Sequence, residues 1–428
     1  MNAVNVGLVT FIIQHNRIQG VFLLCKITNL LIYSYSNQII IKWSSHNLQK
    51  ILFFQWHSFM NEGIEHALNK LEYSYDIFFY QFTDWEKDDK FCELFWDKLK
   101  SQTYRCVFSV NYAPLISNIC EELGVPYISW VYDSPIHIRN MSSMTNSCNQ
   151  IYFFDRGQAQ VFEQQGVCVK HLPLAVDSEG WQKIIGKHLL TQKTDVSMVG
   201  QLYQTQYQYF TAPLDQYEKG YLEGIINAQM KIYGGYLIPE LITEKLLSSM
   251  NTIYKKVSSD GFQIQRRELE YLLAQEVTGR ERYLALALLS KRFEVELYSA
   301  DRDERLKDVV FRGYADYSSK MPQIFAKTKV NLNISLKTIR TGIPLRVLDI
   351  MGCGGFVISN YQEEIAEYFQ IGQECEIYEN LEDLVVKTEF YLHNEELRNR
   401  IAMAGCEKVK RDFSFEDRIK QILGGESR

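Results

Sequence analysis

Residues 345–360 read LRVLDIMGCGGFVISN. Leu345, Val347, Leu348, Ile350 and Met351 make a run too apolar for a surface helix, and a single acid, Asp349, interrupts it. The glycines of Gly352-Cys353-Gly354-Gly355 end that helix in a tight turn, and the chain passes straight into the apolar Phe356-Val357-Ile358. A buried helix followed at once by a buried strand is what a parallel sheet demands, because its crossover helices cover both faces. Asp349 then has two readings. It is a partner for Arg346 one turn earlier, a helix pair of about a few tenths of a kcal/mol, or it is a ligand handle at the edge of the sheet.

Outward from this stretch the same alternation repeats. From Lys50, the runs ILFFQW, DIFFY, RCVFSV, PYISWVY and QIYFFD have β character, and DKFCELFWDKLK, APLISNICEELG and AQVFEQQG separate them as amphipathic helices. After the turn-rich HLPLAVDSEGW a second unit opens with DVSMVGQLY and continues through FEVELYS, VVFRGY, VNLNIS, GFVIS and CEIYE. It ends in two helices marked by Leu381, Leu384, Val385, Tyr391 and Leu392, then by Leu397, Ile401 and Ala404. The expected organisation is an N-terminal extension over 1–48, a Rossmann-like domain over 49–178, a linker over 179–194 and a second α/β domain over 195–428. A helical insertion at about 205–290, rich in Tyr, Leu and Gln, interrupts the second domain. Two such domains face a cleft at the carboxyl ends of their strands, where open α/β sheets bind ligands.

Bulk properties narrow the function. A chain of 428 residues exceeds one ordinary core and predicts two domains. With 46 basic against 52 acidic residues the net charge is −6, which argues against nucleic acid as a partner. Nine cysteines without a CxxC pair fit reduced thiols in a cytoplasmic protein. The eight histidines show no metal-ligand spacing, and Asp301-Arg302-Asp303 lies in the charged run ADRDERLKD of a solvated loop, so no metal site is expected. GLVTFII and GVFLLCKITNLLIY fall short of the roughly 18 apolar residues of a membrane span, so no transmembrane segment is expected.

The segment GIPLRVLDIMGCGGFVISNYQEEIAEYF, with YENLEDLVVKTEFYLHNEELRNRIAMAGCEKVKRDFSFEDRI after it, resembles the carboxyl-terminal domain of group 1 glycosyltransferases. The likeness is to the branch that includes the spore maturation protein CgeB. The first half, with ILFFQWHSF, FSVNYAPLISNICEELGVPYISWVYDSP and IYFFDRGQAQVF, resembles the amino-terminal domain often fused to it. The resemblance implies a GT-B fold, two Rossmann-like domains facing a cleft, the second holding a nucleotide-sugar donor and the first shaping the acceptor side. It implies transfer of the sugar to a hydroxyl of a glycan, protein or small molecule, with no cofactor beyond the donor. The alternatives are a nucleotide-sugar epimerase of the same fold and a non-catalytic sugar-nucleotide-binding or surface-assembly protein.

The site residues follow from that likeness. At the position of Asp349 the family usually carries Glu, which binds the ribose hydroxyls, and many relatives have a second Glu where this chain has Thr341. Arg346, with Arg340 competing for the role, offers a planar guanidinium to the donor diphosphate, and the Thr341-Gly342 turn offers backbone N–H groups. Gly200 lets the backbone approach the same group. Arg312 and Tyr314 follow a strand at the height of the base. In the first domain, Asp133 in WVYDSP stands at a strand end as a general base for an acceptor hydroxyl, with His57 as the second candidate and Asn111 on the same rim.

Overall fold

The computed structural model describes residues 30–35, 38–43, 49–136, 138–186, 194–257 and 261–424. Within the N-terminal extension only an antiparallel hairpin is described, β1 (Leu30–Tyr35) with β2 (Gln38–Trp43), a sheet separate from both others. The rest of 1–48, with most of the two apolar runs, lies outside the described residues, as do 187–193 of the expected linker.

The first domain is a parallel sheet of β3 (Lys50–Gln55), β4 (Tyr75–Phe79), β5 (Tyr104–Val110), β6 (Tyr127–Val131), β7 (Asn149–Phe153) and β8 (Val169–His171) in the order β4-β3-β5-β6-β7-β8. Helices α1 (Asn61–Lys70), α2 (Asp89–Ser101), α3 (Pro114–Leu123) and α4 (Arg156–Gln164) are its crossovers. Consecutive residues Phe53 and Phe54 are both fully buried, one in the core on each face, which is why β3 shows no polar alternation. The sixth strand, β8, has only three residues and no apolar run to announce it.

Helix α5 (Ser178–Ile185) follows and packs on the second domain. There β9 (Thr194–Val199), β10 (Val295–Tyr298), β11 (Val310–Phe311), β12 (Thr328–Asn333), β13 (Val357–Asn360) and β14 (Glu376–Tyr378) form a second parallel sheet in the order β11-β10-β9-β12-β13-β14. Between β9 and β10 stand α6 (Tyr207–Thr211), α7 (Gln216–Met230), α8 (Ile238–Leu241), α9 (Glu244–Val257) and α10 (Arg266–Leu289). These helices have a core of their own, with Leu222, Ile226, Leu246, Leu273 and Val277. Helix α10 opens with a reciprocal Gln265/Glu268 capping box and is apolar in two directions. Leu269, Leu273 and Val277 face the insertion, whereas Ala285, Leu286 and Leu289 pack on the sheet.

The chain closes with α11 (Met321–Lys327), α12 (Leu345–Gly352), α13 (Glu363–Tyr368), α14 (Leu381–His393), α15 (Glu395–Asp412) and α16 (Phe415–Gly424). Helix α16, beyond the two expected from the sequence, crosses back to the first domain and packs on α1. Gly63 makes room for it, since a Cβ there would lie 2.3 Å from the Phe415 ring. One apolar core therefore runs through both domains, from Phe53, Ile64 and Trp130 to Val347, Ile350, Ile419 and Leu423.

Candidate functional site

On the first rim, the chain leaves β5 at Asn111, whose backbone is left-handed with φ 62°. Asn tolerates that conformation better than most residues, and such strain persists where the surroundings enforce it. The Asn111 side chain Oδ1 accepts the N–H groups of Tyr132 (3.0 Å) and Asp133 (3.3 Å), and its Nδ2 donates to Asp133 Oδ2 at 2.7 Å. A strained residue on one strand end thus holds the carboxylate of the next. Trp56 stacks on Tyr132 at 6.2 Å and completes an aromatic wall beside Asp133. His57 stands apart from this group. It is exposed and meets Phe79, at the β4 edge, with 5.2 Å between ring centres.

On the second rim Asp349 is 2% exposed, and one of its oxygens has lost its solvent without gaining a partner. Tyr317 donates its hydroxyl to Oδ1 at 2.9 Å. Oδ2 has no hydrogen bond, with Arg346 Nη1 the nearest cation at 3.7 Å. Burial pushes the carboxyl up to about 6, against the pull of Arg346 and Tyr317. Asp349 thus pairs with Arg346, one turn earlier, and keeps one acceptor without a hydrogen bond. Arg346 itself lies over the Phe325 ring at 5.5 Å and donates to the Met321 sulfur. Tyr317 is sandwiched between Trp181 of α5 and Phe59 of the first domain, at 5.3 and 4.8 Å, so Asp349 sits beneath an aromatic contact between domains.

The Thr341-Gly342 turn has a different occupant from the expected diphosphate. Asp155, at the end of β7 in the other domain, accepts the N–H of Arg340 at 2.7 Å on Oδ2 and that of Thr341 at 3.1 Å on Oδ1. It also lies 3.0 Å from the Thr341 hydroxyl and caps α4 through Gln158 N–H. The Thr341 hydroxyl is also 2.7 Å from Glu364 Oε1, and Glu364 in turn accepts Arg156 N–H at 2.9 Å and reaches His171 Nε2 at 2.8 Å. Gly342 permits this seam, since a Cβ would lie 2.9 Å from Asp155 Cα. Thr341 is thus spent on joining the domains. Arg312 is likewise engaged, by Glu296 at 2.6 Å, and Tyr314 is 64% exposed. In the DxD run Asp303 pairs with Arg305, and the described residues contain no group of three metal-ligating side chains.

Gly200 ends β9 at φ 154° and brings in a residue that sequence reasoning missed. A Cβ on Gly200 would lie 3.3 Å from Arg282 Nη1, on α10. Arg282 belongs to a helical stretch far along the chain, and nothing in its local sequence marks it. Asp155 and Glu364 were missed for the same reason, although an Asp closing the apolar run QIYFFD is the signal that also singled out Asp133.

Residues 280–424 match the glycosyl transferase-like family model, a span that holds Arg282, Arg346 and Asp349. No curated protein matches the chain. The structure is similar to a glycosyltransferase from Rickettsia africae, with TM-score 0.52 and 10% identity over 89% of this chain and 100% of that one. It is also similar to the sucrose-phosphate synthase of Thermosynechococcus elongatus, with TM-score 0.51 and 9% identity over 88% of this chain and 98% of that one. Two six-stranded parallel α/β domains make this a GT-B fold. The family match adds a glycosyl transferase-like domain over residues 280–424 of this fold.

Proposed function

We propose that the protein moves a sugar from a nucleoside-diphosphate donor, held by the second domain, to an acceptor hydroxyl presented at the rim of the first. The observation that carries this is Asp349 Oδ2, a buried carboxylate oxygen without a hydrogen bond beside Arg346. A buried acceptor left unmade costs on the order of 1–3 kcal/mol, more when charged, and a ribose hydroxyl would recover it through a charge-assisted bond. That contact requires Tyr317 to yield, and the half-exposed Phe59 that covers Tyr317 belongs to the other domain, so relative motion of the domains would open it.

In the transfer step the bond between the anomeric carbon and the diphosphate oxygen breaks as the acceptor oxygen attacks. Asp133, oriented by Asn111, takes the acceptor proton in an inverting reaction. Cationic groups on the second rim stabilise the charge that develops on the departing diphosphate. No cofactor beyond the donor is invoked. The order of residues through Arg346 and Asp349 supports placement in the CgeB-like branch, and nine cysteines without a CxxC pair support a reducing, cytoplasmic setting.

Thermal shifts with UDP-, GDP-, TDP- and CMP-sugars test the assignment, since a ligand that binds only the native state raises its stability by mass action. One donor is expected to respond, and product analysis then distinguishes transfer from epimerisation. A flat response to all four counts against the donor site.

A further inference from the structure

We infer that Arg282, delivered by the helical insertion, is the residue that clamps the diphosphate of the donor. The inference rests on the proposed donor site and adds to it the cation and the element that supplies it.

Arg282 comes to the ends of the second sheet by a close approach. Gly279, one turn earlier on α10, lets the β9 loop press against the helix, since a Cβ there would lie 2.8 Å from the Tyr203 carbonyl oxygen and 2.9 Å from that of Leu202. The Arg282 guanidinium then donates to the carbonyls of Gln201, after β9, and Ile334, after β12, the two central strands of the sheet. It lies over Tyr203 at 4.8 Å and borders the backbone of Gly200.

Carbonyl oxygens orient this cation without neutralising it. Arg280, two residues before it, shows the contrast: Glu223 and Glu276 take its guanidinium at 2.7 and 2.8 Å. Arg312 is neutralised by Glu296 and Arg346 shares Asp349. The acid adjoining Arg282, Glu281, pairs with Lys337 at 2.6 Å. Burial draws the Arg282 guanidinium below its ordinary value, with Tyr203 and Glu281 pulling it back and Arg346 adding like-charge repulsion. Two cations, one of them with no acid at ion-pair distance among the described residues, form a site that a doubly charged anion would complete. A guanidinium has five N–H donors in a fixed fork, of which the two carbonyls take three here, leaving two for phosphate oxygens. Gly200, with no side chain, leaves the space in front of them open.

The test measures binding of UDP and GDP, and of uridine and guanosine, by calorimetry to the wild type and to Arg282→Met. Loss of about thirtyfold or more in diphosphate affinity with nucleoside affinity kept within about threefold is expected. Equal diphosphate affinity in both proteins overturns the clamp while leaving the donor site standing. Failure of the wild type to bind any of the four overturns both. Should Arg282→Met not fold, phenylglyoxal labelling of the wild type, read by peptide mass, decides the matter. The binding diphosphate is expected to protect Arg282 and its nucleoside is not, and equal labelling of Arg282 with and without the diphosphate overturns the clamp.

Discussion

Asp155 and Asp349 are both buried aspartates at the facing ends of the two sheets, and they are satisfied to opposite degrees. Asp155 collects the N–H groups of Gln158, Arg340 and Thr341 and sits beside the Thr341 hydroxyl. Asp349 has one phenol on one oxygen and nothing hydrogen-bonded to the other. Burial raises both carboxyls, yet only at Asp155 do backbone N–H groups pull back. A buried acid whose lone pairs are filled from the protein holds the protein together. One with a lone pair to spare is what the proposed ribose contact requires.

The largest effect is expected from breaking the satisfied partner. Asp155→Ala leaves the N–H groups of Arg340 and Thr341 buried without an acceptor and should cost about 3–5 kcal/mol, read as a lowered denaturation midpoint in urea. A loss below about 1 kcal/mol would mean that water replaces the carboxylate and that the seam is not what joins the domains. Asp349→Ala should instead act on binding, with diphosphate affinity down by about 2–3 kcal/mol and the urea midpoint kept or raised. Parallel losses of stability and affinity would make Asp349 structural as well.

The third test uses pH. The native Asp349 carboxyl titrates near 6 and the unfolded one near 3.8, so the native state holds its proton more tightly. Stability from this group is therefore full below pH about 4 and lost as pH rises through about 6. Asp349→Asn removes the loss and should be the more stable protein at pH 7.5, by about 3 kcal/mol, with the gap closing toward pH 4. The same linkage makes nucleoside affinity of the wild type fall as pH drops below about 6, because ribose hydroxyls favour the charged carboxylate. Calorimetry with the nucleoside, which has no phosphate to titrate, reads this directly, and a flat profile would remove the ribose contact.

The smallest effect is expected at the close approach that lets Asp155 reach its donors. Gly342→Ala pushes a methyl against the Asp155 backbone and should cost about 1–3 kcal/mol. Its effect on nucleoside affinity should be less than twofold.

Much of the fold was legible because buried parallel strands and crossover helices leave strong local patterns. The runs ILFFQW and RCVFSV became β3 and β5, and LRVLDIMG became α12. β8 was not legible, since a three-residue edge strand has too little apolar sequence to register. α16 was missed because its apolar face is turned toward α1 of the other domain, so its role depends on where that domain lies. At the site, Asp349 and Asp133 could be read as acids closing or interrupting apolar runs. That Thr341 is committed to Asp155, and Arg312 to Glu296, depended on side chains distant in sequence or across a sheet.

The amino-acid sequence by itself determined the alternation of strands and helices, the doubling into two domains and the presence of an acid on a buried helix. Hydrophobic periodicity and glycine turns act over a few residues and can be read there. Only the tertiary structure decided which polar groups are spent and which are spare, because that depends on what folding brings beside them. It gave Asp155 its backbone donors from the opposite domain, left Asp349 Oδ2 without one, and carried Arg282 from a helical insertion to the glycine at the end of β9.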